Sequence, residues 1–65
     1  MTQLFDLVTL IADLPAEGLA AGAVGTVVHI HEHPEPAYEV EFADDQGRTI
    51  AVTSLRPDQV RPVAG

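Results

Sequence analysis

The residues best suited to chemistry are three histidines at alternate positions, His29, His31 and His33, with Glu32 and Glu35 close by. Alternate residues of a β-strand share one face and lie about 6.5–7 Å apart. Imidazoles at that spacing can share a metal ion, with a carboxylate as a further ligand. The cluster therefore predicts a metal site formed by His29, His31 and His33. The simpler interpretation is a polar outer strand face, with His33 in the turn that follows.

A second cluster is acidic and occupies the middle of the chain. Its members are Glu32, Glu35, Glu39, Glu41, Asp44 and Asp45. Paired carboxylates serve as acid and base in a cleft, but a chain of 65 residues has little room for a pocket of a few hundred cubic ångströms. We therefore expect no enzyme and no cofactor. The carboxylates predict a docking surface for a basic protein partner, or else a solvated face that aids solubility.

The charge balance argues against two classes of partner. The chain has ten acidic residues and three basic ones, all arginine (Arg48, Arg56 and Arg61), which gives a net charge of −7. Nucleic-acid binding needs several cationic side chains on phosphates, and anionic membranes need a similar basic patch. We expect neither nucleic acid nor membrane as a partner.

Composition restricts the chain to one small domain, covering residues 1–65. There is no cysteine, so disulfides and thiolate metal sites are excluded. The first ten residues lack a basic segment and Asp6 interrupts their apolar run, so we expect no signal peptide and a cytoplasmic location.

Apolar alternation and turn residues indicate short strands. The predicted strands are residues 5–12, 24–32, 37–43, 48–54 and 60–63. Pro15, Gly18 and Gly22 predict a long loop after the first strand, held by Leu14 and Leu19. Residues 55–60 contain Pro57 and Asp58 and predict one tight helical turn before the last strand.

Five short strands in so small a chain predict an all-β fold, either a small barrel or two orthogonal sheets. The expected core is Val8, Leu10, Val28, Ile30, Tyr38, Val40, Phe42, Ile50, Val52, Leu55 and Val60.

The first strand is apolar on both faces. Phe5, Leu7 and Ile11 lie opposite Val8 and Leu10. Either the Leu14–Leu19 loop covers one of these faces or that face is a contact patch, which self-association would bury. We therefore expect a monomer or a weak homodimer.

The order of these signals resembles a known family. Phe5-Asp6-Leu7-Val8 is followed by Leu14-Pro15, Gly18-Leu19, a Gly22-to-Val28 block and a terminal block from Leu55 to Val63. This pattern resembles short bacterial proteins catalogued as domain of unknown function 4926. The resemblance implies a five-stranded SH3-like barrel with a short 3-10 turn before the last strand. The glycine block is also similar, more weakly, to KOW-type modules.

Three functional hypotheses follow. The resemblance implies a protein partner encoded by an adjacent gene, including an antitoxin-like neutraliser of that gene product, which agrees with a non-catalytic protein–protein interaction module. The alternative is a metal-binding protein that uses His29 and His31. Nucleic-acid binding, by similarity to KOW modules, ranks last because of the charge.

Overall fold

The computed structural model describes residues 2–63 and is built from five antiparallel strands and two short 3-10 helices. The strands are β1 (Leu7–Leu10), β2 (Val24–His31), β3 (Ala37–Ala43), β4 (Thr49–Leu55) and β5 (Val60–Pro62). The 3-10 helices are Pro15–Glu17 and Pro57–Gln59. Among these residues no helix is long and apolar enough to cross a membrane. The predicted all-β class and the 3-10 turn before the last strand are confirmed.

The strands form one sheet in the order β4-β3-β2-β1-β5. Every strand contributes to a single buried cluster, to which the loop after β1 adds one leucine. Its members are Val8, Leu10, Leu19, Val27, Val40, Phe42, Leu55 and Val60. One sheet can bury side chains from all its strands on one face only by curling around them, because a flat sheet would leave that face wet. The arrangement is consistent with the SH3-like barrel that the resemblance implies.

The loop after β1 closes one side of this core. Leu14 and Leu19 exchange backbone hydrogen bonds of 2.8 and 3.1 Å, which pin the loop around the first 3-10 helix. Leu19 is buried in the core and Leu14 packs against it. The predicted loop, held by these two leucines, is therefore confirmed.

The core prediction is wrong for Ile50 and Val52 in β4. Their side chains are 56% and 51% exposed, while Ala51 packs against the core opposite Phe42. Side chains alternate between the two faces of a strand, and Leu55 at the end of β4 is buried. Ala51 and Thr53 therefore face inward and Val52 does not. Ile50 is an extra residue where the register against β3 shifts between Phe42 and Ala43, and it is exposed too.

The core prediction is also wrong for Val28, because β2 contains an irregularity. The register against β3 shifts between Val27 and His29, so Val28 is an extra residue in the ladder and is only half-buried. Val27, which was not predicted, takes the buried position opposite Val40. Beyond the bulge, Ile30 and its ladder partner Tyr38 are half-buried and pack against the core.

Gly25 lets β2 lie close against β3. A Cβ atom at this position would lie 2.5 Å from Val40 Cγ1, 2.9 Å from Phe42 Cε1 and 3.0 Å from the Glu41 carbonyl oxygen. Real Cβ atoms do not approach this closely, so only glycine fits here. The glycine block noted in the sequence thus has a packing role at this residue.

Candidate functional site

The face of the sheet that points away from the core carries most of the residues singled out by the sequence. We call it the outer face; its members are Leu7, Val24, Thr26, His29, His31, Glu39, Glu41, Ile50 and Val52. One continuous row crosses four strands, because Leu7 is opposite Thr26, Thr26 is opposite Glu41, and Glu41 is opposite Val52. Glu41 on β3 thus has Val52 beside it on β4, and Thr26 on β2 separates it from Leu7 on β1.

The apolar content of the outer face is high for a surface. Leu7, Val24, Ile50 and Val52 are each at least half exposed. Single exposed apolar residues are ordinary, but here several lie on one face of one small sheet. Sequence reasoning missed Ile50 and Val52 because it placed them in the core, although their spacing from Leu55 already put them on the opposite face.

The two glutamates of β3 are held in place by neighbours. Glu41 Oε2 accepts a hydrogen bond of 2.8 Å from Thr49 Oγ1 on β4. Glu39 Oε1 lies 3.1 Å from His31 Nε2 on β2. Both side chains are half-buried, so their carboxylates are ordered on the surface of the sheet.

Asp44 has a structural role in the turn between β3 and β4. Its Oδ1 accepts hydrogen bonds of 2.9 Å from the backbone N–H groups of Arg48 and Gln46, and its Oδ2 lies 3.2 Å from Arg48 Nε. The hydrogen bond from the Arg48 backbone N–H is the main cause that holds the pKa of Asp44 below its ordinary value. Desolvation opposes it, and the hydrogen bonds from Gln46 and the Arg48 side chain add to it. Asp44 therefore shapes the turn, which Gly47 completes with a positive φ of 81°.

The six predicted docking carboxylates do not form one compact cluster. Glu32 and Glu35 are exposed at the turn between β2 and β3, whereas Asp44 and Asp45 lie in the turn at the far end of β3. A strand of seven residues separates the two groups, or about 20 Å at 3.3 Å per residue. Only Glu39 and Glu41 share the outer face.

The histidines converge only in part. The bulge in β2 turns His29 and His31 to the outer face, where their ring centroids are 4.5 Å apart with the rings at 65°. His33 is exposed in the following turn. Among residues 2–63 no three histidine, cysteine, aspartate or glutamate side chains are grouped so as to hold a metal ion. The structure thus brings together two of the three predicted ligands.

The apolar residues of the N-terminal segment remain outside the core. Because the Leu14–Leu19 loop covers the core side of β1, it leaves Phe5, Leu7 and Ile11 at 68%, 51% and 45% exposure. Phe5 also has a positive φ of 69°, which is rare for a bulky residue, and its N–H donates to the Val27 carbonyl oxygen at 2.6 Å. The loop therefore covers one face of the N-terminal segment, and the apolar side chains on the other face stay exposed.

A shallow open cavity of about 340 Å³ lies where the β2–β3 turn meets the second 3-10 helix. The expectation that so short a chain has little room for a pocket of a few hundred cubic ångströms is therefore wrong in volume, although this cavity is open to solvent. It is lined by Glu35, Pro36, Arg56, Pro57 and Asp58. Arg56 Nε already lies 3.0 Å from Asp58 Oδ1 within this cavity. Arg56 and Asp58 are therefore paired with each other, and the open cavity does not single out a ligand.

Comparison with known proteins places the chain in a family. No curated protein and no solved structure matches it. The model of the family described as Domain of unknown function (DUF4926) matches residues 4–62, which is nearly the whole chain, and the chain therefore belongs to that family.

Proposed function

We propose that this domain is a non-catalytic interaction module that binds a basic protein partner on its outer face. The observation that carries the proposal is the row Leu7–Thr26–Glu41–Val52, in which the hydrogen-bonded Glu41 carboxylate has the exposed Val52 beside it and the exposed Leu7 two strands away. Such a surface suits a segment that presents a lysine or arginine between apolar residues.

The charge of the chain supports a basic partner. The net charge is −7 and there is no lysine. Two of the three arginines are paired with the chain's own carboxylates, Arg48 with Asp44 and Arg56 with Asp58. A field of this sign attracts cations and speeds their association.

The proposal assigns no catalytic role to the outer face. Among residues 2–63 no polar or charged side chain is buried. Catalytic groups usually sit in desolvated clefts, where burial and neighbouring charges tune their pKa values. The carboxylates of the outer face lie on an open sheet surface instead.

The test compares two variants that each remove one negative charge. Glu41→Gln changes the outer face, and Glu17→Gln changes the exposed first 3-10 helix on another part of the molecule. Each tagged protein is used to capture partners from its native cell, and the product of the adjacent gene is co-expressed as the first named candidate. Captured proteins are identified by mass spectrometry, and their affinity is measured by calorimetry at two salt concentrations.

We expect Glu41→Gln to weaken binding at least fivefold, which corresponds to about 1 kcal/mol, and Glu17→Gln to leave it nearly unchanged. Binding should also weaken as salt is added, because salt screens exposed charges. A partner that binds both variants equally, or the absence of any captured protein above background, would overturn the proposal.

Metal binding has narrower support. The observation in its favour is the close approach of His29 and His31, with Glu39 beside His31. Protein zinc sites use three or four protein ligands, however, and His31 Nε2 is already engaged with Glu39 Oε1. Interaction with a protein is therefore the better-supported function.

A further inference from the structure

Phe5 occupies a turn position that ordinarily belongs to glycine. The Asp6 N–H donates to the Gln3 carbonyl oxygen at 3.1 Å, which closes a β-turn with Phe5 as its third residue. The φ of Phe5 is 69°, and a positive φ at the third residue is typical of type II turns, where glycine or asparagine is usual. For a bulky residue this backbone conformation costs stability.

The same residue begins a β-bulge against β2. The Phe5 N–H donates to the Val27 carbonyl oxygen at 2.6 Å, and the Val27 N–H donates to the Asp6 carbonyl oxygen at 2.9 Å. Phe5 and Asp6 thus lie together opposite Val27, which is the arrangement of a bulge whose first residue is commonly glycine. The turn and the bulge therefore both favour glycine where the chain has phenylalanine.

Packing within the domain does not explain the phenylalanine. Its side chain is 68% exposed, more than any other large apolar side chain among residues 2–63. The chain has only two phenylalanines and no tryptophan, and the other phenylalanine, Phe42, is 1% exposed in the core. The turn is held without the ring, because Asp6 Oδ2 also accepts a hydrogen bond of 2.8 Å from the Gln3 N–H. A strained backbone and an exposed ring thus point to a contact outside the chain.

We propose that Phe5 is the apolar anchor for the basic partner of the outer face, entering an apolar pocket of that protein while Glu41 meets a lysine or arginine beside the pocket. This inference rests on the proposed function, since it concerns the same partner. Aromatic side chains buried in the middle of an interface contribute much of its binding free energy. The turn and the bulge fix the backbone of Phe5 before the partner binds, so binding orders less of the chain.

The outer face extends from Glu41 to the segment that carries Phe5. The Val63 N–H donates to the Leu7 carbonyl oxygen at 3.1 Å, which continues the β1–β5 pairing and makes Val63 a neighbour of Leu7 on this face. Leu7 is two strand spacings, or about 10 Å, from Glu41. The exposed apolar residues at this end form the N-terminal patch, which we define as Leu4, Phe5, Leu7 and Val63.

An interface of ordinary size reaches both Glu41 and the N-terminal patch. Such an interface covers about 800 Å² on each partner, or roughly 28 Å across, and the whole molecule measures only 32 × 27 × 19 Å. A protein that contacts Glu41 therefore extends to the patch. Charge selects the kind of protein, because the chain has a net charge of −7 and attracts a basic partner but repels a second copy of itself.

The first measurement is urea unfolding of Phe5→Gly and Phe5→Ala. Both substitutions remove the ring, but only glycine adopts the positive φ without strain. We expect the unfolding midpoint of Phe5→Gly to equal or exceed that of the wild type, and that of Phe5→Ala to lie below Phe5→Gly. A midpoint of Phe5→Gly below the wild type would mean that the ring supports the fold, and the proposal would be overturned.

The second measurement is calorimetry with the partner captured on the wild-type domain, beginning with the co-expressed product of the adjacent gene. We expect Phe5→Gly to weaken binding at least about tenfold, and Phe5→Trp, which keeps a large ring, to bind within about threefold of the wild type. Ile11→Ala is the matched control, because Ile11 is also an exposed apolar residue but lies beyond the other end of β1. It should change the affinity by less than about threefold.

Salt separates the contact of Phe5 from that of Glu41. Apolar contacts are not screened, so Phe5→Gly should lower the affinity by the same factor at both salt concentrations, whereas the effect of Glu41→Gln should shrink as salt is added. Binding that depends on Glu41 but not on Phe5 overturns the anchor and leaves the proposed function standing. Binding that depends on Phe5 but not on Glu41 supports the anchor and overturns the basic partner. Equal losses from Phe5→Gly and Ile11→Ala, or no captured partner at all, overturn the anchor.

Discussion

Glu41 lies directly opposite Val52 across the β3–β4 ladder, so a carboxylate and an exposed isopropyl group are neighbours on the outer face. The same register places Ala51 opposite Phe42 on the core side. Adjacent residues of β4 therefore have opposite environments, which substitutions can distinguish.

We expect Val52→Thr to change the free energy of unfolding by less than about 0.5 kcal/mol, because the side chain is half exposed. Ala51→Leu should lower it by about 1–3 kcal/mol, because the added carbons have to fit against a packed core. Urea unfolding, followed by circular dichroism at a protein concentration where the chain is monomeric, measures both. The reverse order of effects would mean that Ile50 and Val52 face the core after all.

A second prediction concerns Gly25. Gly25→Ala should lower the free energy of unfolding by about 1–3 kcal/mol, because its Cβ would overlap Val40 Cγ1, whose residue is fully buried and has no space to move. Gly47→Asn is the control, since its position has open space and asparagine tolerates a positive φ better than other residues do. An equal loss of stability in the two variants would show that close packing at Gly25 is not the cause.

The sequence predicted where the strands and turns lie better than it predicted which side chains face the core. Turn residues and apolar runs locate every strand end to within two residues, because proline and glycine interrupt pairing where they occur. The Leu14–Leu19 loop and the 3-10 turn after β4 follow from the same signals. These are local properties of the chain.

The faces depend on register, which is not local. In β2 one extra residue at Val28 reverses the pattern, so that Val27 is buried before the bulge and Ile30 faces the core after it. This bulge is what turns His29 towards Glu39, and nothing in the sequence requires it. In β4 the sequence did indicate the correct faces. Leu55 and Val52 are three residues apart, so in a regular strand they cannot both point towards the core.

The histidine pair gives a third prediction. Only two imidazoles converge, and His31 is engaged by Glu39. We therefore expect zinc to bind with a dissociation constant above about 1 µM, which corresponds to a binding free energy weaker than about −8.2 kcal/mol. Calorimetry with zinc, nickel and copper measures this, and His29→Ala/His31→Ala is the comparison. Tight binding that the double variant abolishes would restore the metal site as a function of the domain.

The last prediction uses the low pKa of Asp44. Hydrogen bonds from the backbone N–H groups of Arg48 and Gln46 favour the charged carboxylate in the folded state, so its folded pKa lies below its unfolded value. The resulting stabilisation is present above the unfolded pKa of about 3.9 and is lost as the pH falls through the lower folded pKa. Asp44→Asn should therefore destabilise the domain at neutral pH and reduce the dependence of its stability on pH in the acid range.

Urea unfolding at a series of pH values measures this slope. Asp45→Asn is the matched control. It removes the same charge from the next residue, whose side chain does not accept these two hydrogen bonds. We expect the control to keep the wild-type slope between neutral pH and about pH 3. If Asp44→Asn also kept that slope, the turn would not depend on the charged carboxylate, and its hydrogen bonds would be equally satisfied by a neutral acceptor.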